Sequence, residues 1–326
     1  KHNGVTINFW GGEPTLNPDY CITIIEAFRN RNVDFFFYTN GYNYTNIDRI
    51  LNNAKLFGVD DSRIRMQISF DGKWNDESRV TAGKNGTSEN VLNTMESLYE
   101  KHTNIHVSFK STLPVEKLVN SRNDVVENWE YFEALFLIFG DRISYSPTLE
   151  YTQFYKLNDK QIDNMKHQFN RIAKREIEFY NKYNRHLMSW FDVRTTQLCS
   201  AGMNIGNIDL EGNITMCHGA LYTGVEKSNL IVGNILENKP LATSILNMKA
   251  KHFKILEDHV SSSEINKSDC YGCEATVCYQ CPTVNYSNNK SLEESEKYHT
   301  PKKDLCKVYK TFGKISNVLY TYLNTK

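Results

Sequence analysis

The stretch Val5-Thr6-Ile7-Asn8-Phe9-Trp10-Gly11-Gly12-Glu13-Pro14 reads as a strand that runs into a tight turn. β-Branched and aromatic residues favour the pleated conformation, and two glycines before a proline end it. A helix is expected next, from about Pro18 to Asn30, with Ile22, Ile25, Ala27 and Phe28 at apolar spacing and Asn17 as its cap.

The same beat continues outward from this stretch. A strand at Asp34–Tyr38 ends in Thr39-Asn40-Gly41, a helix follows from about Asn46 to Phe57, and a third strand at Arg65–Phe70 ends in Asp71-Gly72. Helices are expected at Ser88–Glu100 and Asp124–Phe139, and strands at His106–Ser111 and Ile143–Tyr145. Strands alternating with helices imply an α/β fold with a parallel sheet and right-handed crossovers. In such folds ligands sit at the C-terminal strand ends, so a functional rim is expected at Gly11–Glu13, Thr39–Gly41 and Ser69–Gly72.

Leu157 to about Tyr183 reads as one long amphipathic helix, with Ile162, Met165, Phe169, Ile172 and Ile177 as its apolar positions. Beyond it the character of the chain changes. Seven of the eight cysteines fall between Cys199 and Cys306. Cys217 follows Cys199, then come Cys270, Cys273, Cys278 and Cys281 in two Cys-x2-Cys pairs, and last Cys306. Such pairs fit a tetrahedral zinc site or an iron–sulfur cluster, and spacing alone leaves the two metals even.

Composition narrows the function classes. The 38 basic and 38 acidic residues cancel, which gives no net field for nucleic acid or an anionic membrane. The longest apolar run, around Ala134–Phe139, is too short to span a bilayer. No signal-type segment opens the sequence, so a cytoplasmic address is expected, and reduced thiols there read as metal ligands before disulfides.

At the rim, Gly11 and Gly12 let backbone amides approach a ligand, and Glu13 offers a carboxylate to an amine or hydroxyl. The plain alternative is a strand-to-helix turn with Pro14 starting the exit. Asn40 and Ser69 are fit to bind a ribose or carboxylate, and Arg79 to return a guanidinium to the same rim; the alternative for each is a cap or turn. His218, directly after Cys217, fits either a proton acceptor or a histidine that braces a neighbouring carbonyl. Cys21, alone on a helix, reads as core packing.

Taken together, Phe9–Pro14, Thr39-Asn40-Gly41, Ile68-Ser69-Phe70-Asp71-Gly72 and Cys199-x12-Gly212-x4-Cys217, with the cysteine knot and a final cysteine, resemble a radical S-adenosylmethionine enzyme with a SPASM extension. The resemblance covers Thr6 to about Tyr309. It implies a partial (β/α)6 barrel that binds S-adenosylmethionine and an extension that carries two auxiliary [4Fe–4S] clusters. By position, Gly11, Gly12 and Glu13 match the motif for the methionine amino group, Asn40 and Ser69 the ribose and carboxylate contacts, and Arg79 the arginine near the carboxylate. Cys199, Cys217 and Cys281 match the first auxiliary site, and Cys270, Cys273, Cys278 and Cys306 the second. His218 falls where sulfatase-maturing relatives carry an acidic base.

The implied domains are residues 1–150, the barrel without its first β/α unit; 151–195, a helical connector; 196–310, the cluster extension; and 311–326, a terminal helix. Two departures from the family pattern stand out. The Cys-x3-Cys-x2-Cys loop that holds the radical-generating cluster has no counterpart in Lys1–Gly4, which favours a fragment over a protein that has lost its radical chemistry. The knot is also one residue short in each of its last two intervals.

The resemblance further implies a peptide or protein substrate, a 5′-deoxyadenosyl radical that takes a hydrogen atom from it, and an electron donor such as flavodoxin or ferredoxin. The expected product is a crosslink, thioether, epimer or oxidised residue. A catalytically silent peptide-binding relative and a zinc-stabilised binding module are the competing classes.

Overall fold

The computed structural model describes residues 4–150, 157–191, 206–219, 231–237, 240, 243–250 and 303–324. The chain divides into two compact units, residues 1–153 with 157–192, and residues 154–156 with 193–326.

In the first unit five strands form one parallel sheet in sequence order: β1 (Val5–Phe9), β2 (Val33–Thr39), β3 (Ile64–Ser69), β4 (His106–Leu113) and β5 (Tyr145–Leu149). Helices α1 (Pro18–Phe28), α2 (Tyr44–Leu56), α4 (Ser88–Lys101) and α6 (Asp124–Phe139) connect them, with two short helices, α3 (Asn75–Ser78) and α5 (Val115–Val119), beside the third and fourth strands. Capping residues set the starts: Asn17 accepts from the Tyr20 amide and Pro18 stands at the first position of α1, while Asn43 accepts from Asn46 at the start of α2.

The expected elements recur within a few residues, except the last strand. It lies at Tyr145–Leu149 and not at Ile143–Tyr145, because Pro147 is accommodated on β5, an edge strand of the sheet.

The two faces of the sheet differ in chemistry. Phe35, Phe37, Ile64, Met66, Ile68, Val107 and Phe109 alternate onto the buried helix-covered face. Helix α6 seals that side with Trp129, Phe132 and Phe136, and Phe132 stacks on Tyr145 with ring centroids 4.2 Å apart. The other face carries Asp34, Tyr38, Arg65, Gln67, Ser69, Ser108, Lys110, Ser146 and Thr148, all partly exposed. A parallel sheet with one dry face and one polar face is half of a barrel wall, and the polar side is its interior.

Helix α7 (Asp159–Tyr183), read from sequence as a connector, packs along α5 and α6 within the first unit. Asn158 and Gln161 close a capping box at its start, and Asn184 ends it in the left-handed conformation. Its buried Gln168 donates to the carbonyls of Leu118 and Ser121 and accepts from Val125, and its buried Glu176 accepts from Trp129 and from the Leu187 and Met188 amides.

In the second unit, β6 (Asn207–Ile208), β7 (Asn213–Thr215) and β8 (Ile231–Asn234) form an antiparallel sheet. Ile214 and Met216 pack against Met248, with Cys217 and Val232 at the margin. The helix Lys303–Asn324 buries Val308, Tyr309, Phe312 and Leu319 and leaves Val318 and Tyr322 exposed. Among the described residues no helix is long and apolar enough to cross a membrane.

Candidate functional site

The C-terminal ends of β1, β2 and β3 bring Gly11–Glu13, Asn40 and Ser69 to one rim. Gly11 and Gly12 both adopt positive φ, 93° and 53°, and a β-carbon built on either meets nothing within 4 Å. Their left-handed backbone accounts for glycine there, and the space above them is open to a ligand.

Glu13 is committed to holding this turn. Its Oε1 accepts from the Thr15 amide at 3.1 Å and from the Thr15 and Thr39 hydroxyls, each at 2.7 Å, and its Oε2 accepts from the Asn40 amide at 2.6 Å. The carboxylate therefore ties the end of β1 to the end of β2, and Oε2, with one bond, keeps an acceptor position. Asn40 is exposed; its Oδ1 accepts from the Tyr42 amide at 2.8 Å. Ser69 closes β3 on the polar face, in register with Lys110 of β4.

A second carboxylate does for β3 and β4 what Glu13 does for β1 and β2. Asp71 is buried, and its Oδ1 accepts from the Thr112 amide at 2.6 Å. Arg79 grips it with Nε to Oδ2 at 2.7 Å and a terminal nitrogen to Oδ1 at 3.1 Å, and Ser78 donates to Oδ2 at 2.9 Å. The guanidinium expected near a ligand carboxylate is thus engaged, in the bidentate geometry arginine favours, by a protein carboxylate. Asp71 is the centre of that cluster. Gly72 beside it has φ of 71° and lies so close to Asn128 that a β-carbon would stand 2.1 Å from its Oδ1.

Of the predicted metal ligands, Cys217 and Cys306 fall among the described residues, both half-buried. Cys217 follows β7 directly, and burial lowers the pKa of the adjacent His218. Cys199, Cys270, Cys273, Cys278 and Cys281 lie outside the described residues. Cys21 is fully buried, and burial raises its thiol to about 12, an inert core position as its isolation suggested.

The sheet and its connecting helices define a class: α/β proteins of the partial TIM-barrel type. Within that class the chain is similar to native anSMEcpe with bound AdoMet and Cp18Cys peptide, at a TM-score of 0.65 and 17% identity over 99% of this chain and 87% of that one. The polyhistidine-tagged anSMEcpe structure with bound AdoMet gives 0.66 and 17% over 99% and 82%, and the Kp18Cys peptide complex gives 0.65 and 16% over 98% and 86%. At these identities the likeness is one of fold. No family model matches the sequence. No curated protein matches it either.

Proposed function

We propose that this chain belongs to a radical S-adenosylmethionine enzyme of the SPASM type that modifies a peptide or protein. The observation that carries the reading is the open left-handed turn at Gly11–Gly12, set at the strand ends beside Asn40 and Ser69. The same fold is found in structures that hold AdoMet and peptide.

The residues at the rim fit the cofactor. The Gly11–Gly12 backbone gives a methionyl group close approach, the remaining acceptor position of Glu13 Oε2 suits its amino group, and Asn40 and Ser69 suit the ribose. When bound beside a reduced [4Fe–4S] cluster, S-adenosylmethionine supplies hydrogen-atom abstraction. The chain's own contribution is to hold the two carboxylate braces rigid, so that the rim keeps its shape as ligands come and go. Seven cysteines, Cys199, Cys217, Cys270, Cys273, Cys278, Cys281 and Cys306, would hold two auxiliary clusters; thiolate donors suit iron–sulfur chemistry. A small electron-transfer protein is the reductant this chemistry calls for, and a peptide is the substrate, in keeping with the peptide-bound anSMEcpe structures.

The Glu13 brace gives a direct test. Glu13→Gln puts an amide where four donors converge and leaves at least one of them facing an N–H. In the full-length, cluster-loaded protein it is expected to weaken S-adenosylmethionine binding at least about tenfold, the loss of one charge-assisted hydrogen bond. Equilibrium dialysis measures this, and an unchanged Kd would count against the rim as the cofactor site.

A further inference from the structure

Lys110 lies in the middle of the polar face of the first sheet. Alternation along β4 puts Ser108, Lys110 and Thr112 on that face, opposite Val107, Phe109 and Leu113. Register sets Lys110 between Ser69 of β3 and Ser146 of β5, and the next pairs on the same face are Gln67 with Ser108 and Thr112 with Thr148. Every one of these neighbours is uncharged.

Its Nζ reaches Ser146 Oγ at 3.5 Å, and Ser189 Oγ meets that same hydroxyl at 3.2 Å. Among the described residues no carboxylate forms an ion pair with Lys110, whereas Arg65, Lys73, Arg79 and Lys117 each have one. Burial pushes the Lys110 ammonium down to about 8. Holding a lysine among hydroxyls without a counter-ion costs free energy, and that cost is recovered when an anion arrives.

We infer that Lys110 is the cationic end of a carboxylate-binding subsite on the polar face of the sheet, and that it takes an acidic group of the peptide substrate. The inference rests on the peptide-modifying reading above. The cofactor's own carboxylate is a poorer match. It shares a carbon with the amino group assigned to the Gly11–Gly12 turn on β1, and Lys110 stands three strands away, roughly 14 Å at the usual strand spacing. Arg79, another cation near this rim, is held by Asp71.

Trace acetylation of the full-length, cluster-loaded protein, read by mass spectrometry at Lys110, tests the subsite. The probes are N-acetyl-glutamate methylamide and its uncharged twin, N-acetyl-glutamine methylamide. The charged probe is expected to protect Lys110 at a concentration about tenfold lower than the neutral one, as a charge-assisted hydrogen bond requires. In Lys110→Met the two probes should bind alike by calorimetry, and the unfolding temperature should hold or rise, since an unpaired ammonium has been removed. Equal or absent protection overturns the proposal, and so does a lowered unfolding temperature, which would make the lysine structural. Protection by S-adenosylmethionine but not by its decarboxylated analogue also overturns it, because the ammonium then belongs to the cofactor. Probe protection needs no cofactor, so failure to bind S-adenosylmethionine in the same preparation would sink the enzymatic reading separately.

Discussion

Replacing Glu176 by alanine is expected to cost about 3–5 kcal/mol of stability in the first unit, the range for breaking a fully buried charged cluster. Glu176 is fully buried on α7. Its carboxylate accepts from Trp129 Nε1 at 2.6 Å, from the Leu187 and Met188 amides at 3.2 and 2.9 Å, and lies 3.0 Å from His186 Nδ1. Deleting it leaves buried donors with no acceptor, and each unsatisfied group carries its full desolvation penalty. Arg175 next to it supplies the control. Its ion pair with Glu130 is surface-exposed on both sides, so Arg175→Ala should cost no more than about 1 kcal/mol. Denaturant unfolding of the two variants separates these magnitudes. A Glu176→Ala loss as small as that of Arg175→Ala would mean that α7 is not anchored through this carboxylate.

The second large effect is expected at Asp71 and Arg79. Asp71 is buried, and its ligands draw together β3, α3 and β4. Asp71→Asn and Arg79→Met are each expected to cost about 3 kcal/mol, and the double variant little more than either alone, because both remove one interaction. They should also weaken S-adenosylmethionine binding to the same extent, and equally for the decarboxylated analogue. That pattern marks Arg79 as a positioning residue that acts through Asp71. A loss confined to Arg79→Met, and seen only with the carboxylate present, would return Arg79 to direct contact with the cofactor.

These residues show what a sequence reveals and what it withholds. The helix at Asp124–Phe139 was legible to the residue, since its run of apolar residues is a local signal. The strand ends were legible as well, because Gly11-Gly12, Thr39-Asn40-Gly41 and Asp71-Gly72 punctuate successive strands. What the rim residues do was not legible. Glu13 finds Thr39 and Asn40 across 26 and 27 residues, and Asp71 finds Thr112 across 41. Those partners exist only once the parallel register is set. Strand β5 was misplaced because Pro147 reads as a breaker until its edge position is known. Lys110 was overlooked although Ser108-Phe109-Lys110-Ser111-Thr112-Leu113 alternates plainly; a lysine facing solvent and one facing a barrel interior have the same pattern.

The central claim, that the cysteines hold iron–sulfur clusters in an S-adenosylmethionine enzyme, is tested most directly by metal content. Iron, acid-labile sulfide and zinc per chain would be measured on protein purified and reconstituted without oxygen. The account predicts roughly eight irons and eight sulfides for the two auxiliary clusters, four of each per cluster. About one zinc per chain with no sulfide, as a closed tetrahedral thiolate site would give, would contradict it.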